Sequence, residues 1–186
     1  MKILLASDLH GQKRCLISLR EIIEKHHPDS LICAGDITQY DEIAYLEEFL
    51  SIIKEHKIEG YLIWGNNDRE EVRKMIANSP YSIHLKQRML GKWKIFGISE
   101  IDDIPVIEPE SINGAILVTH RPPQIEALKT VHRSAPRYHI SGHIHHRAVK
   151  TVYPATTLIQ IPSLMLSRYG LFEPDNADVK YYILKV

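Results

Sequence analysis

The 186 residues carry 44% hydrophobic and 25% charged side chains, the composition of one globular domain over 1–186 with a sizeable core. Lys+Arg and Asp+Glu both number 23, and this zero balance argues against bulk nucleic-acid binding, which needs a basic face. Cys15 and Cys33 supply neither a disulfide framework nor zinc-ribbon spacing, and no apolar run makes a signal peptide or membrane span, so the expected setting is the cytoplasm.

Residues 2–7 form a continuous apolar run, the pattern of a strand buried on both faces, and it leads into Asp8 and His10. Leu16, Leu19, Ile22 and Ile23 recur at helical spacing over 13–26, with Pro28 as the stop and His26 and His27 as solvent-facing caps. A strand over 30–34 runs into Gly35 and Asp36, with Cys33 as a core residue. Ile43, Leu46, Phe49, Leu50 and Ile53 mark a second helix over 42–56. A strand over 60–64 runs into Gly65, Asn66, Asn67 and Asp68, and a third helix covers 69–77. This β-α-β-α-β opening predicts a parallel sheet with right-handed crossovers.

The rhythm then changes. Segments 82–89 and 92–98 alternate around Leu90 and Gly91, a hairpin signal. Residues 99–113, with Asp102, Asp103, Pro105 and Pro109, read as a long loop; a strand over 115–119 leads to His120, and a short helix over 123–130 follows two prolines. The strand-like start of Tyr138, His139 and Ile140 breaks at Gly142, and His143 and His145 follow in alternation with His146 beside them. In extended backbone, alternate side chains point the same way, so His143 and His145 can present imidazoles to one locus. Segments 147–153, 156–161 and 178–185 are expected as strands of a second sheet. The sum is an α/β fold of two stacked mixed β-sheets flanked by helices.

Each motif has a plain reading by itself: Asp8, Asp36 and Asp68 as helix caps, Asn66 and Asn67 as a turn, the histidines as surface residues. Together they gather carboxylate, imidazole and amide groups where parallel strands end, which is where open α/β sheets build their sites. The order D-x-H at Asp8 and His10, G-D at Asp36, G-N-x-D at Asn66 and Asp68, His120, and G-H-x-H at His143 and His145 resembles the calcineurin-like metallophosphoesterases. The blocks span most of the chain.

That resemblance implies an allocation of ligands. Asp8, His10, Asp36 and His145 would hold one divalent ion; Asp36, Asn66, His120 and His143 would hold the other. Oxygen and nitrogen donors without thiolate suit transition metals, manganese first, with iron, zinc or nickel as alternatives. A carboxylate such as Asp36 can bridge two ions about 3.5–4 Å apart, and a hydroxide between them would attack phosphorus in line. Two divalent ions, two aspartates and one hydroxide leave one positive charge, which favours a diester monoanion over a monoester dianion.

The resemblance also gives Asp68 the task of orienting a neighbouring histidine. At the place of Asn67 many family phosphatases carry a histidine that protonates the leaving oxygen. Asparagine does not titrate near neutrality, so His146 or a metal-bound water is the expected substitute. Arg69, Arg121 and Arg147 adjoin motifs and are read as solvated. His26, His27, His56, His84, His132 and His139 are read as surface or core residues.

The expected function is therefore a metal-dependent phosphodiesterase acting on a small or nucleotide-like phosphoester, with specificity set by loops such as 99–113 and oligomerisation left open. Two rivals remain. A scaffold for protein assembly keeps this fold after losing ligands, whereas here every expected ligand position is filled. A nuclease of the family carries extra DNA-binding domains, for which this chain has neither the length nor a basic excess.

Overall fold

The structure is a computed structural model that describes residues 1–99, 109–122, 134–153 and 155–184. The first sheet grows from β1 (Ile3–Ala6), β2 (Ser30–Ala34) and β3 (Glu59–Ile63), which pair in parallel. Helices α1 (Lys13–His26) and α2 (Ile43–Glu55) connect them, and α3 (Glu70–Asn78) follows β3. The second sheet contains β4 (Gln87–Leu90), β5 (Trp93–Ile98), β6 (Ile116–Thr119), β7 (Tyr138–Ser141), β8 (Val149–Tyr153) and β9 (Thr156–Gln160), in the order β4-β5-β6-β7-β9-β8. Its four inner strands run parallel, and β4 and β8 close the two edges antiparallel.

The continuous apolar strands serve two cores at once, because successive side chains leave opposite faces of a strand. Leu4, Ala6, Leu31, Cys33 and Leu62 pack against Leu16, Leu19, Phe49 and Ile76 of the helices. The alternate residues Ile3, Leu5, Ile32, Tyr61 and Ile63 meet Ile95, Ile116, Val118, Tyr138 and Ile159 of the second sheet. A one-residue slip in β1 or β2 would exchange the two sets, so the register is fixed from both sides.

Two expectations about strands need correction. The segment expected at 178–185 in the second sheet is β11 (Asp178–Ile183), and it lies at the edge of the first sheet. It is carried there by β10 (Arg168–Glu173), absent from the sequence reading, which pairs antiparallel with β1. Tyr169 and Leu171 of β10 enter the helix-side core and Phe172 the inter-sheet core. Periodicity marks a strand but not its sheet.

Residues 82–86 join the strands only through isolated bridges at Ser82 and His84, so the hairpin is shorter than expected and turns at Gly91, where φ is +59°. Within the expected loop 99–113, Pro109–Ile112 make one helical turn, α4. Residues 100–108 of that loop, the helix expected over 123–130, and His132 lie outside the described residues.

Candidate metal centre

Five strands of the two sheets deliver side chains to one place. Asp8 and His10 follow β1, Asp36 follows β2, Asn66 follows β3, His120 follows β6, and His143 and His145 follow β7. One ligand atom each from Asp8, His10 and His145 lies within 4.8 Å of the other two, and the same holds for Asp36, His120 and His143. In the first group His10 Nε2 is 3.1 Å from His145 Nε2, and His145 Nε2 is 3.4 Å from Asp8 Oδ1. In the second, His120 Nε2 is 3.3 Å from Asp36 Oδ2, 3.2 Å from His143 Nδ1 and 3.1 Å from Asn66 Oδ1. Asp36 Oδ2 also stands 3.7 Å from His10 Nε2, which places it between the groups.

The local backbone is unusual. Asp8, His10, Asp36 and His143 all have positive φ, between 49° and 68°, which costs a side chain about 1–2 kcal/mol. Neighbouring hydrogen bonds hold the conformation: the Asp8 amide donates to the Gly35 carbonyl at 3.0 Å, His10 to Asp36 at 3.1 Å, and the His143 amide to Asp8 Oδ2 at 3.0 Å. Gly65 and Gly142 are needed for close approach. A Cβ at Gly65 would overlap Asp36 Oδ1, and one at Gly142 would overlap Ser7 Oγ.

Partners on the far side of the rings set the tautomers. His120 Nδ1 lies 2.8 Å from the Ala34 carbonyl, which accepts only, so that nitrogen carries the proton and Nε2 turns its lone pair inward. His10 Nδ1 lies 3.0 Å from Gln39 Oε1, with the same consequence. Lone pairs of Asp36, Asn66 and His120 thus converge, an arrangement that repels unless a proton or a cation occupies the centre. Burial alone would push Asp36 up and His120 down. Their mutual hydrogen bond and charge, with Asn67 donating to Asp36, outweigh it and hold Asp36 below the usual carboxylate range and His120 above the usual imidazole value. His145 is likewise raised by the Asp8 carboxylate beside it, while burial and the His120 charge lower His143.

The donors fit metal ions. Ligands about 2.1 Å from a common ion stand about 3.0–3.5 Å apart at octahedral or tetrahedral angles, the spacing of the pairs above except those of His10 Nε2 with Asp36 Oδ2, 3.7 Å, and with Asp8 Oδ1, 3.9 Å. Asp8 Oδ1 is fully buried and, among the described residues, finds no well-formed hydrogen bond beyond the His145 imidazole 3.4 Å away, a costly state for a carboxylate oxygen unless a cation faces it.

A family model described as the calcineurin-like phosphoesterase superfamily domain matches residues 1–163. The chain belongs to that superfamily. The family uses divalent metal ions and acts on phosphoesters, and this member offers a ligand cluster for each of two. Among solved structures, the TT1561 protein of Thermus thermophilus superposes with a TM-score of 0.81 at 14% identity, covering 98% of both chains. A structure described as a novel archaeal phosphodiesterase gives 0.62 at 17% identity, covering 99% of this chain and 100% of that one. Wild-type Vps29 from Entamoeba histolytica, complexed with zinc, gives 0.58 at 16% identity, covering 98% and 91%. At these identities the likeness is one of fold. No curated protein matches the sequence.

Other members of the predicted set behave differently. Asp68 is buried and its carboxylate accepts from the amides of Ile37, Thr38 and Gly65 and from the Thr38 hydroxyl, not from a histidine. It staples the loop after Asp36 to the loop carrying Asn66. The His146 ring is exposed and makes no hydrogen bond among the described residues, although its carbonyl accepts from Arg168 at 3.2 Å. Asn67 donates its side-chain amide to Asp36 Oδ2 at 2.7 Å and its backbone amide to Oδ1 at 2.8 Å. Arg121, read as solvated, is half-buried with Nη1 3.4 Å from His143 Nε2. His139 is fully buried beside the Thr119 hydroxyl at 2.8 Å.

Sequence reasoning missed Gln39, which orients His10, and Gln160, whose amide donates to the carbonyls of Ser141 and Gly142 and pins the turn before His143. Only their spacing from a motif hinted at either; the contacts themselves are tertiary.

Proposed function

We propose that this chain is a phosphodiesterase for small or nucleotide-like diesters, working with two divalent transition-metal ions, manganese first among them. The observation that carries the reading is the set of six side chains gathered around Asp36, with the Asp8 Oδ1 atom buried among them and met only by the His145 imidazole. Bound ions would supply Lewis-acid stabilisation of the phosphoryl oxygens and lower the pKa of the attacking water. The chain's own residues do the rest. Asp8, His10 and His145 would hold one ion and Asn66, His120 and His143 the other, with Asp36 placed to serve both. The Ala34 carbonyl and Gln39 keep the imidazole lone pairs of His120 and His10 aimed inward.

The charge count favours a diester, since two divalent ions against two aspartates and a deprotonated water leave one positive charge. Arg121 supports a second reading. Its guanidinium, 3.4 Å from His143, adds a cation at the site and would make a monoester dianion welcome. The test is metal analysis of the purified protein followed by aryl diester and aryl monoester hydrolysis with manganese. Tight binding of two ions and faster diester cleavage are expected. A monoester preference that Arg121→Gln reverses would select the second reading. No tight transition-metal site would leave only a scaffold for protein assembly.

A further inference from the structure

Tyr40 is out of place by ordinary criteria. It is 54% exposed, so its ring gains little from burial, and its φ of +68° is a conformation that suits glycine or asparagine rather than a bulky side chain. A residue that is both strained and exposed needs a reason outside packing. Its position supplies one. The Tyr40 amide donates to the Asn67 carbonyl at 3.1 Å, and its own carbonyl accepts from the Thr38 hydroxyl at 2.8 Å. That hydroxyl shares its single proton with Asp68 at 2.9 Å, and the preceding residue, Gln39, holds His10. Tyr40 is thus fastened between the loops that carry the ligands of both clusters.

Over the ring stands the Arg69 guanidinium, 4.9 Å from its centroid and itself exposed. Arg69 follows the Asn66–Asp68 stretch directly, so the pair forms a flat, cationic shelf at the rim of the metal centre. A planar base has the chemistry for such a shelf. It stacks on the aromatic or guanidinium plane, and the cation favours its carbonyl oxygens and electron-rich face. We propose that Tyr40 and Arg69 bind the base of a nucleotide ester while its phosphate lies at the metal centre. This rests on the phosphodiesterase reading for the orientation of the ester, but base binding is measurable without turnover.

The experiment is calorimetric titration of the manganese-loaded protein with adenosine 5′-monophosphate and with ribose 5-phosphate, which share a phosphate and a sugar and differ in the base. Wild type is expected to bind the nucleotide about 5- to 150-fold more tightly, the range of one stacked base. Tyr40→Phe keeps the ring and should keep the preference. Tyr40→Asn accepts the left-handed backbone and removes the ring, so the ratio should fall to about 1. Equal binding of the two ligands by wild type, or a preference retained by Tyr40→Asn, overturns the proposal, as does an equal loss of both ligands in that variant, which would make Tyr40 a structural prop. Diester cleavage without base preference would defeat the shelf alone. Base preference without cleavage of any diester would support the shelf and defeat the phosphodiesterase reading.

Discussion

Asp36 Oδ2 lies 3.3 Å from His120 Nε2 and 3.7 Å from His10 Nε2, so one atom serves both clusters. Asp36→Asn should therefore weaken both manganese sites in a calorimetric titration. Gln39→Leu should weaken only the site containing His10, by about 10–100-fold, the usual effect of removing a ligand's outer partner. Equal loss at both sites in Gln39→Leu would contradict the separate assignment. Asn67 has no proton to give and its amide is engaged by Asp36. With no general acid at that position, rates on aryl diesters should fall steeply as the leaving-group pKa rises. Asn67→His should flatten that slope and help poor leaving groups most, by at most about 10²–10⁴-fold. A shallow slope in the wild type would mean that another acid already works. The clustering of the candidate ligands was legible because their types are chemically rare at strand ends and recur in order. The true partners of Asp68 were not, since backbone amides of Ile37, Thr38 and Gly65 carry no sequence signature.

At the level of elements, α1, α2, β1, β2 and β3 followed from apolar periodicity, because each buries one stripe or both faces. What periodicity missed was the closure of the first sheet by β10 and β11, a matter of which surfaces meet. That closure docks on α1 through an aromatic group. Tyr169 and Tyr182 stack at 5.2 Å, and His26 at the end of α1 meets both rings, with its Nε2 2.8 Å from the Tyr169 hydroxyl. Burial, then Lys25 and Lys2, lower the His26 pKa below its usual value. The unfolded chain thus binds a proton more readily than the folded one between that lowered value and about 6.5. Stability contributed by neutral His26 is full above that window and is lost as pH falls through it. His26→Gln keeps a group able to bond Tyr169 but cannot titrate. Between pH 7 and 5 the wild type should lose more melting temperature than the variant; parallel profiles would remove His26 from the account.

On the scale of the molecule, the candidate ligands straddle the seam between the sheets: Asp8, His10, Asp36 and Asn66 come from the first, His120, His143 and His145 from the second. A bound ion would therefore tie together two layers that otherwise meet through apolar side chains and a few hydrogen bonds, such as those of His120 to Ala34 and His143 to Asp8. At 100 times its dissociation constant, manganese should add about 2.7 kcal/mol, or about 5–11 °C in melting temperature for a chain of this size. A chelator should reverse the gain, and an unchanged melting curve would mean that the clusters take no ion tightly. Such a seam would also link the protein's survival to its mineral supply. A chain starved of metal would open more often, and proteases cut in proportion to the open population. In a cell short of manganese the unfilled molecules would be the first degraded, so the standing pool of protein would follow the metal available to fill it.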